Sequence, residues 1–131
     1  MSRVSAMQRT SARFAGPALD LAGILIFVVI GRAVHDHGVD PAGIVATAWP
    51  FTVGLVAGAV GTRAWRTWQA IVPTGIAIWL STVAVGMILR QISGQGIALA
   101  FVGVALAFLA AMMLGWRVVW RLAEAMRLRR T

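Results

Sequence analysis

The stretch Pro73–Gly96, PTGIAIWLSTVAVGMILRQISGQG, decides how the chain is read. A proline stands where a helix can start without losing a bond. A run of about 20 apolar residues follows, enough to cross hydrocarbon. Arg90 then closes the run, and a glycine-rich turn ends it. This predicts a transmembrane helix over about 70–89. Its neighbours repeat the design. Downstream, about 96–116 is a second apolar run with Gly103, Ala107, Ala111 and Gly115 at strict four-residue spacing. Small residues in that pattern form a helix-packing face. Upstream, Pro41 opens a span over about 41–62 that carries no charge. Pro50 in its middle removes a backbone donor and predicts a kink beside Trp49 and Phe51, while Gly54 and Gly58 supply a second helix-packing pair. The first span is expected over about 17–34.

Composition agrees with this reading. Of 131 residues, 60% are hydrophobic and 12% charged, against about 25% charged in soluble domains. Four spans use most of the length, so one all-helical domain is expected, a four-transmembrane-helix bundle. The absence of cysteine excludes disulfides, thiolate nucleophiles and cysteine metal sites. All 12 basic residues are arginine, and the net charge is +8.

Residues 1–16, rich in Ser, Ala and Arg, read as a disordered basic tail. With the apolar run behind them they imitate a signal peptide. No small-x-small cleavage site follows Ile30, so the first span is expected to stay attached. It holds the one acid that looks immersed. Asp20 and Arg32 are 12 positions apart, about 18 Å along a helix, against about 30 Å of hydrocarbon. Both cannot sit at membrane surfaces. Arginine can snorkel and aspartate cannot, so Asp20 is drawn inward and needs a partner or a proton.

Orientation follows from the arginines. Ten of them (3, 9, 13, 63, 66, 117, 121, 127, 129, 130) fall in the two termini and the middle loop; only Arg32 and Arg90 fall on the other side. The positive-inside rule then places both termini in the cytoplasm of a cell with a single inner (plasma) membrane to cross. Residues 117–131 read as a basic cytoplasmic helix that attracts anionic lipid. The same charges need no nucleic acid, and no folded soluble reading surface is expected. At an offset of 58 residues Arg32 matches Arg90 and Gly38 matches Gly96, a trace of two parallel hairpin repeats.

Asp20, Gly31-Arg32, Trp49-Pro50-Phe51, Pro73-Thr74-Gly75, Trp79, Gly86-Met87 through Arg90 and Gly115-Trp116-Arg117 together resemble a small prokaryotic membrane family catalogued as domain of unknown function 3054. The resemblance covers about residues 17–120. It implies a four-helix membrane domain and brings no activity with it. Length and a first-helix acid are also similar to small multidrug-resistance transporters, but those carry a glutamate deeper in the helix and often a weaker charge bias.

The candidate sites are few. Asp20 is a proton or ion site if it loads and releases a proton within the bundle, or a structural partner of Arg63, Arg66 or Arg117. Arg32 and Arg90 either bind an anion, which guanidinium geometry suits, or snorkel outward as ion pairs with Asp36 or Asp40. His35, Asp36, His37 and Asp40 form a solvated loop with no second ligand cluster, so no metal and no cofactor is expected. The tryptophans read as an interfacial belt, Trp79 excepted. No nucleophile, base and acid fall at one depth, so an enzyme is not expected. Two functions remain: a structural or accessory component of a membrane complex, or a small oligomeric proton- or ion-coupled carrier using Asp20. The expected partners are anionic lipids and either further copies of the chain or a membrane-complex subunit.

Overall fold

The computed structural model describes the backbone of residues 3–35 and 37–130, and side chains from residue 15 onward apart from 36 and 131. Four helices carry the chain: α1 (Arg3–Val34), α2 (Pro41–Thr62), α3 (Ile76–Ile92) and α4 (Leu99–Arg130). Each is long and apolar enough, with the turn Ile71–Gly75 counted into α3, to cross a membrane, and no strand occurs among the described residues. Each helix packs against its neighbours in sequence, and α1 also packs against α4, which closes the bundle into a ring.

Local chemistry sets the ends. Asp40 caps α2 by accepting from the Gly43 N–H at 2.9 Å, with Pro41 as the first helical residue. At the far end Arg63 takes a left-handed conformation (φ 52°) and turns the chain. The link to α3 is a short 3₁₀ turn, Ala64–Arg66, followed by the wide turn Ile71–Gly75, in which Val72 is extended and the Val72–Pro73 peptide is cis. Pro50 deprives the Ala46 carbonyl of its usual donor. Gln95, from the α3–α4 turn, supplies a replacement, its Nε2 donating to Ala46 O at 3.2 Å.

The tightest seam lies between α2 and α3. A Cβ on Gly54 would stand 2.7 Å from Ser81 O, and one on Gly58 would stand 3.0 Å from the Ile78 Cα, so the two backbones touch. Ser81 Oγ donates to Gly54 O at 2.8 Å across this seam. The core in the half toward the α1–α2 and α3–α4 turns is aromatic. Phe27 meets Phe51 edge-on at 5.7 Å and also contacts Phe101 and Phe108, and bare Gly86 leaves room for the Phe51 ring. Trp79 bridges α3 to α4 by donating to Leu106 O at 3.0 Å.

One expectation changes here. The segment 1–16 expected as a disordered tail is helical from Arg3, as the start of α1. Residues 3–15 contain no glycine or proline and several good helix formers, Ala, Met, Gln and Arg. The ladder Gly103, Ala107, Ala111, Gly115 is not used within the bundle among the described residues, which leaves it as a face for another copy: its first three residues are exposed, and nothing lies within 4 Å of a Cβ built on Gly103 or Gly115. The buried set of α4 is Ala105, Leu109, Met113 and Arg117. These lie two positions along, about 200° round the helix, so the larger residues face inward and the small ones outward. The basic C-terminal segment is not a separate element. It is the last part of α4, whose 32 residues span about 48 Å and outrun the roughly 30 Å hydrocarbon layer.

Candidate functional site

Asp20 and Arg117 meet at the end of the bundle that holds the α2–α3 link. Asp20 stands 14 residues before the end of α1 and Arg117 stands 18 residues after the start of α4, so both lie about 20–27 Å along their helices from the α1–α2 and α3–α4 turns. Both side chains are fully buried. Arg117 holds the carboxylate in a fork, Nη1 to Oδ1 at 2.9 Å and Nη2 to Oδ2 at 2.7 Å. The two indoles complete the acid's shell: Trp68 Nε1 donates to Oδ2 and Trp116 Nε1 to Oδ1, each at 2.8 Å. A carboxylate offers about four acceptor positions. All four are taken.

The guanidinium is equally committed. Nε donates to Trp68 O at 2.9 Å, Nη1 also donates to Met113 O at 2.7 Å, and Cζ lies 4.5 Å from the centre of the Trp116 ring. Three separate parts of the chain converge on this pair: α1 through Asp20, the α2–α3 link through Trp68, and α4 through Trp116 and Arg117. Glycine makes the approach possible at two points. A Cβ on Gly75 would stand 2.7 Å from Arg117 Cδ, and one on Gly16 would overlap the Trp68 indole. Thr74, fully buried beside Gly75, pairs with Thr67 Oγ1 at 2.8 Å and fastens the link to itself. The result is a polar clasp in a low-dielectric setting, satisfied on both sides.

Arg32 and Arg90 are not brought into one pocket; each reaches back into its own hairpin turn. Arg32 donates from every guanidinium nitrogen: Nε to Gly38 O at 2.7 Å, Nη1 to Thr47 Oγ1 at 2.9 Å and Nη2 to His37 O at 2.6 Å, with Asp40 Oδ1 3.9 Å away. Arg90 donates from Nη1 to Gln95 Oε1 at 3.1 Å and lies over the Phe101 ring at 4.4 Å. Both turns carry a left-handed glycine at the matched position, Gly38 (φ 78°) and Gly96 (φ 82°). His35 and His37 have ring centres 6.4 Å apart, Asp36 lies outside the described residues, and among those described no three His, Cys, Asp or Glu side chains gather.

Sequence reasoning named Arg117 only as one of three partners for Asp20, and it placed Trp68 in the headgroup belt. Trp68 is instead 7% exposed, turned into the bundle. The signal for Arg117 was depth: of the three arginines it alone lies on a continuous span, four residues from a core methionine. No comparable signal existed for Trp68, which sits in a loop whose path depends on the turn at Ile71–Gly75.

A family model described as a protein of unknown function, DUF3054, matches residues 17–120. The chain belongs to the DUF3054 family. No curated protein and no solved structure was found to match it. The DUF3054 region takes in every residue of the clasp from Asp20 to Arg117, together with Arg32, Arg90 and the α2–α3 seam. The segments that carried the resemblance therefore fall into few places in space. Asp20, Pro73-Thr74-Gly75 and Gly115-Trp116-Arg117 build or border the clasp; Phe51 packs on Gly86 in the aromatic core beside buried Pro50, while Trp49 faces out; Gly31-Arg32 closes the first turn.

Proposed function

We propose that this DUF3054 protein is a structural or accessory component of a complex in the inner (plasma) membrane, with both termini in the cytoplasm and no enzymatic activity of its own. One observation carries the reading: the acid that would have to exchange protons or ions in a carrier already has all its acceptor positions filled by Arg117, Trp68 and Trp116. Releasing it means breaking a buried, bidentate ion pair, which costs about 3–5 kcal/mol when one partner is left behind. A site that cycles is poorly served by such a contact. A scaffold is well served by it. The outward ladder on α4 allows close approach of another helix at low steric cost, and the exposed arginines 121, 127, 129 and 130 suit anionic lipid at the inner surface.

The test is native mass spectrometry of the tagged protein extracted gently from its own host's membranes, paired with proton and cation flux in proteoliposomes. A foreign subunit in fixed stoichiometry, with no flux, is the expected result. Recovery of self-copies alone, with a pH-driven flux that Asp20→Asn abolishes, would replace this reading with the oligomeric carrier.

A further inference from the structure

Of the arginines at the ends of the membrane spans, Arg63 is exposed and three, Arg32, Arg90 and Arg117, are half-buried or buried; these three differ in one respect. Arg117 and Arg32 donate from every nitrogen and each stands near a carboxylate. Arg90 does neither. Among the described residues its guanidinium makes one hydrogen bond, from Nη1 to Gln95 Oε1, no carboxylate pairs with it, and its Nε is buried with no acceptor. Buried donors and charges without partners are rare in folded proteins because each forfeits solvation without replacement. The position makes the shortfall sharper. Arg90 is two residues from the end of α3, the end that the proposed topology puts at the outer membrane boundary.

We propose that the outer end of α3 is a phosphate-binding site centred on the Arg90 guanidinium. The group is held ready for it. Phe101 supports one face of the guanidinium plane at 4.4 Å. Gln95 fixes the Nη1 edge while its own Nε2 is anchored on Ser93 Oγ and on the Ala46 carbonyl that Pro50 sets free. What is left without an acceptor among the described residues, beside the buried Nε, is Nη2 and the second hydrogen of Nη1. A planar fork of N–H donors matches two phosphate oxygens, and charge-assisted bonds of this kind are the strong ones. Arginine rather than lysine matters here, because only a planar group can rest on the ring and present the fork together. Two sources offer this chemistry at this depth: the phosphodiester of a lipid headgroup and free inorganic phosphate. Exposed Ile92 (76%) and Leu99 (90%), at the two ends of the same turn, put acyl chains within reach of a lipid bound there. The site is independent of the role proposed above, since Arg90 takes no part in the clasp.

The experiment is side-chain NMR of the full chain labelled with ¹⁵N-arginine, starting in a maltoside micelle, which contains no phosphate. The Arg90 Nε–H resonance is assigned by its disappearance in Arg90→Lys. Inorganic phosphate is titrated in one arm; in the other the protein is moved into nanodiscs of phosphatidylglycerol, with nanodiscs of a phosphate-free glycolipid as control. The expected result is a saturable shift of the Arg90 signal with slowed hydrogen exchange, absent for chloride and for the glycolipid. A response in the nanodisc arm alone identifies the lipid headgroup, and a response to inorganic phosphate identifies the free anion. An Arg90 signal that moves in neither arm, or moves equally in glycolipid, overturns the proposal, and it does so on the wild-type chain without relying on a variant's ability to fold.

Discussion

Asp20→Asn isolates what the clasp contributes, because asparagine keeps the shape of the acid and changes only its charge and half its hydrogen-bonding. In the native chain four donors converge on the carboxylate at 2.7–2.9 Å. In the variant the amide carbonyl can still accept on one side. On the other side an NH₂ group faces either Trp68 Nε1 and Arg117 Nη2 or Trp116 Nε1 and Arg117 Nη1, donor against donor. The guanidinium, fully buried, is left without its counter-charge. Removing one partner of a buried pair costs about 3–5 kcal/mol, two to nearly four orders of magnitude in the folding equilibrium. The assay is equilibrium unfolding in mixed micelles by added dodecyl sulfate, followed by circular dichroism. A cycle of Asp20→Leu, Arg117→Met and the double variant measures the coupling: with both charges gone the penalty of an orphaned ion disappears, and the double variant is expected to lose less than the sum of those two single losses, the two unpaired indole N–H groups leaving a residual cost of about 1–3 kcal/mol each. A loss below about 1 kcal/mol in Asp20→Asn, or single losses that simply add in the double variant, would refute the idea that the pair acts as one unit.

Three further outcomes follow from other parts of the bundle. Gly54→Val drives a side chain into the Ser81 carbonyl, 2.7 Å from where its Cβ must stand, and should lower stability by about 1–3 kcal/mol or more in the same micelle assay; Gly61→Val, with open space around it, should leave stability within about 0.5 kcal/mol. Trp68→Phe keeps the ring volume near Gly16 but removes a donor from Asp20, for an expected loss of about 1–3 kcal/mol, with the Trp116 indole N–H resonance shifting as the carboxylate settles onto its remaining partners. Single cysteines in this cysteine-free chain report orientation: His37→Cys should react with an impermeant maleimide in intact cells and Arg66→Cys only after permeabilisation, and the opposite pattern would invert the topology.

Much of the bundle was legible because spans are written in long runs of one solvent preference. The charge-free stretch from Pro41 to Thr62 and the stretch closed by Arg90 need only hydropathy and length to be read. The Gly54/Gly58 pair was legible as a place of close approach, since the signal is local to one helix face. Which ladder turns inward was not: Gly103 to Gly115 has the same spacing as Gly54 and Gly58, yet the bulkier residues two places along fill the interior, and volume at a distant contact decides that. The clasp lay between these cases. Asp20 announced itself by its depth, but its partner is 97 residues away, and Trp68 reaches it through a turn whose path, extended at Val72, follows no periodicity. For Arg32 and Arg90 the charges alone looked alike; what separates them is that Gly38 O, His37 O and Thr47 come within reach of the first, and only Gln95 of the second.

The separation of Asp20 from Arg117 also orders events during synthesis. The acid leaves the ribosome 97 residues before the arginine that neutralises it, a delay of about 5–20 s at ordinary elongation rates. Through that interval the first helix carries a charge that the hydrocarbon does not accept, so it must wait at the headgroups or beside the insertion machinery, and its final seating coincides with the arrival of the last span. A nascent chain cut short before Arg117 never passes that point. It keeps, in its first membrane helix, an acid without the arginine that neutralises it in the finished bundle.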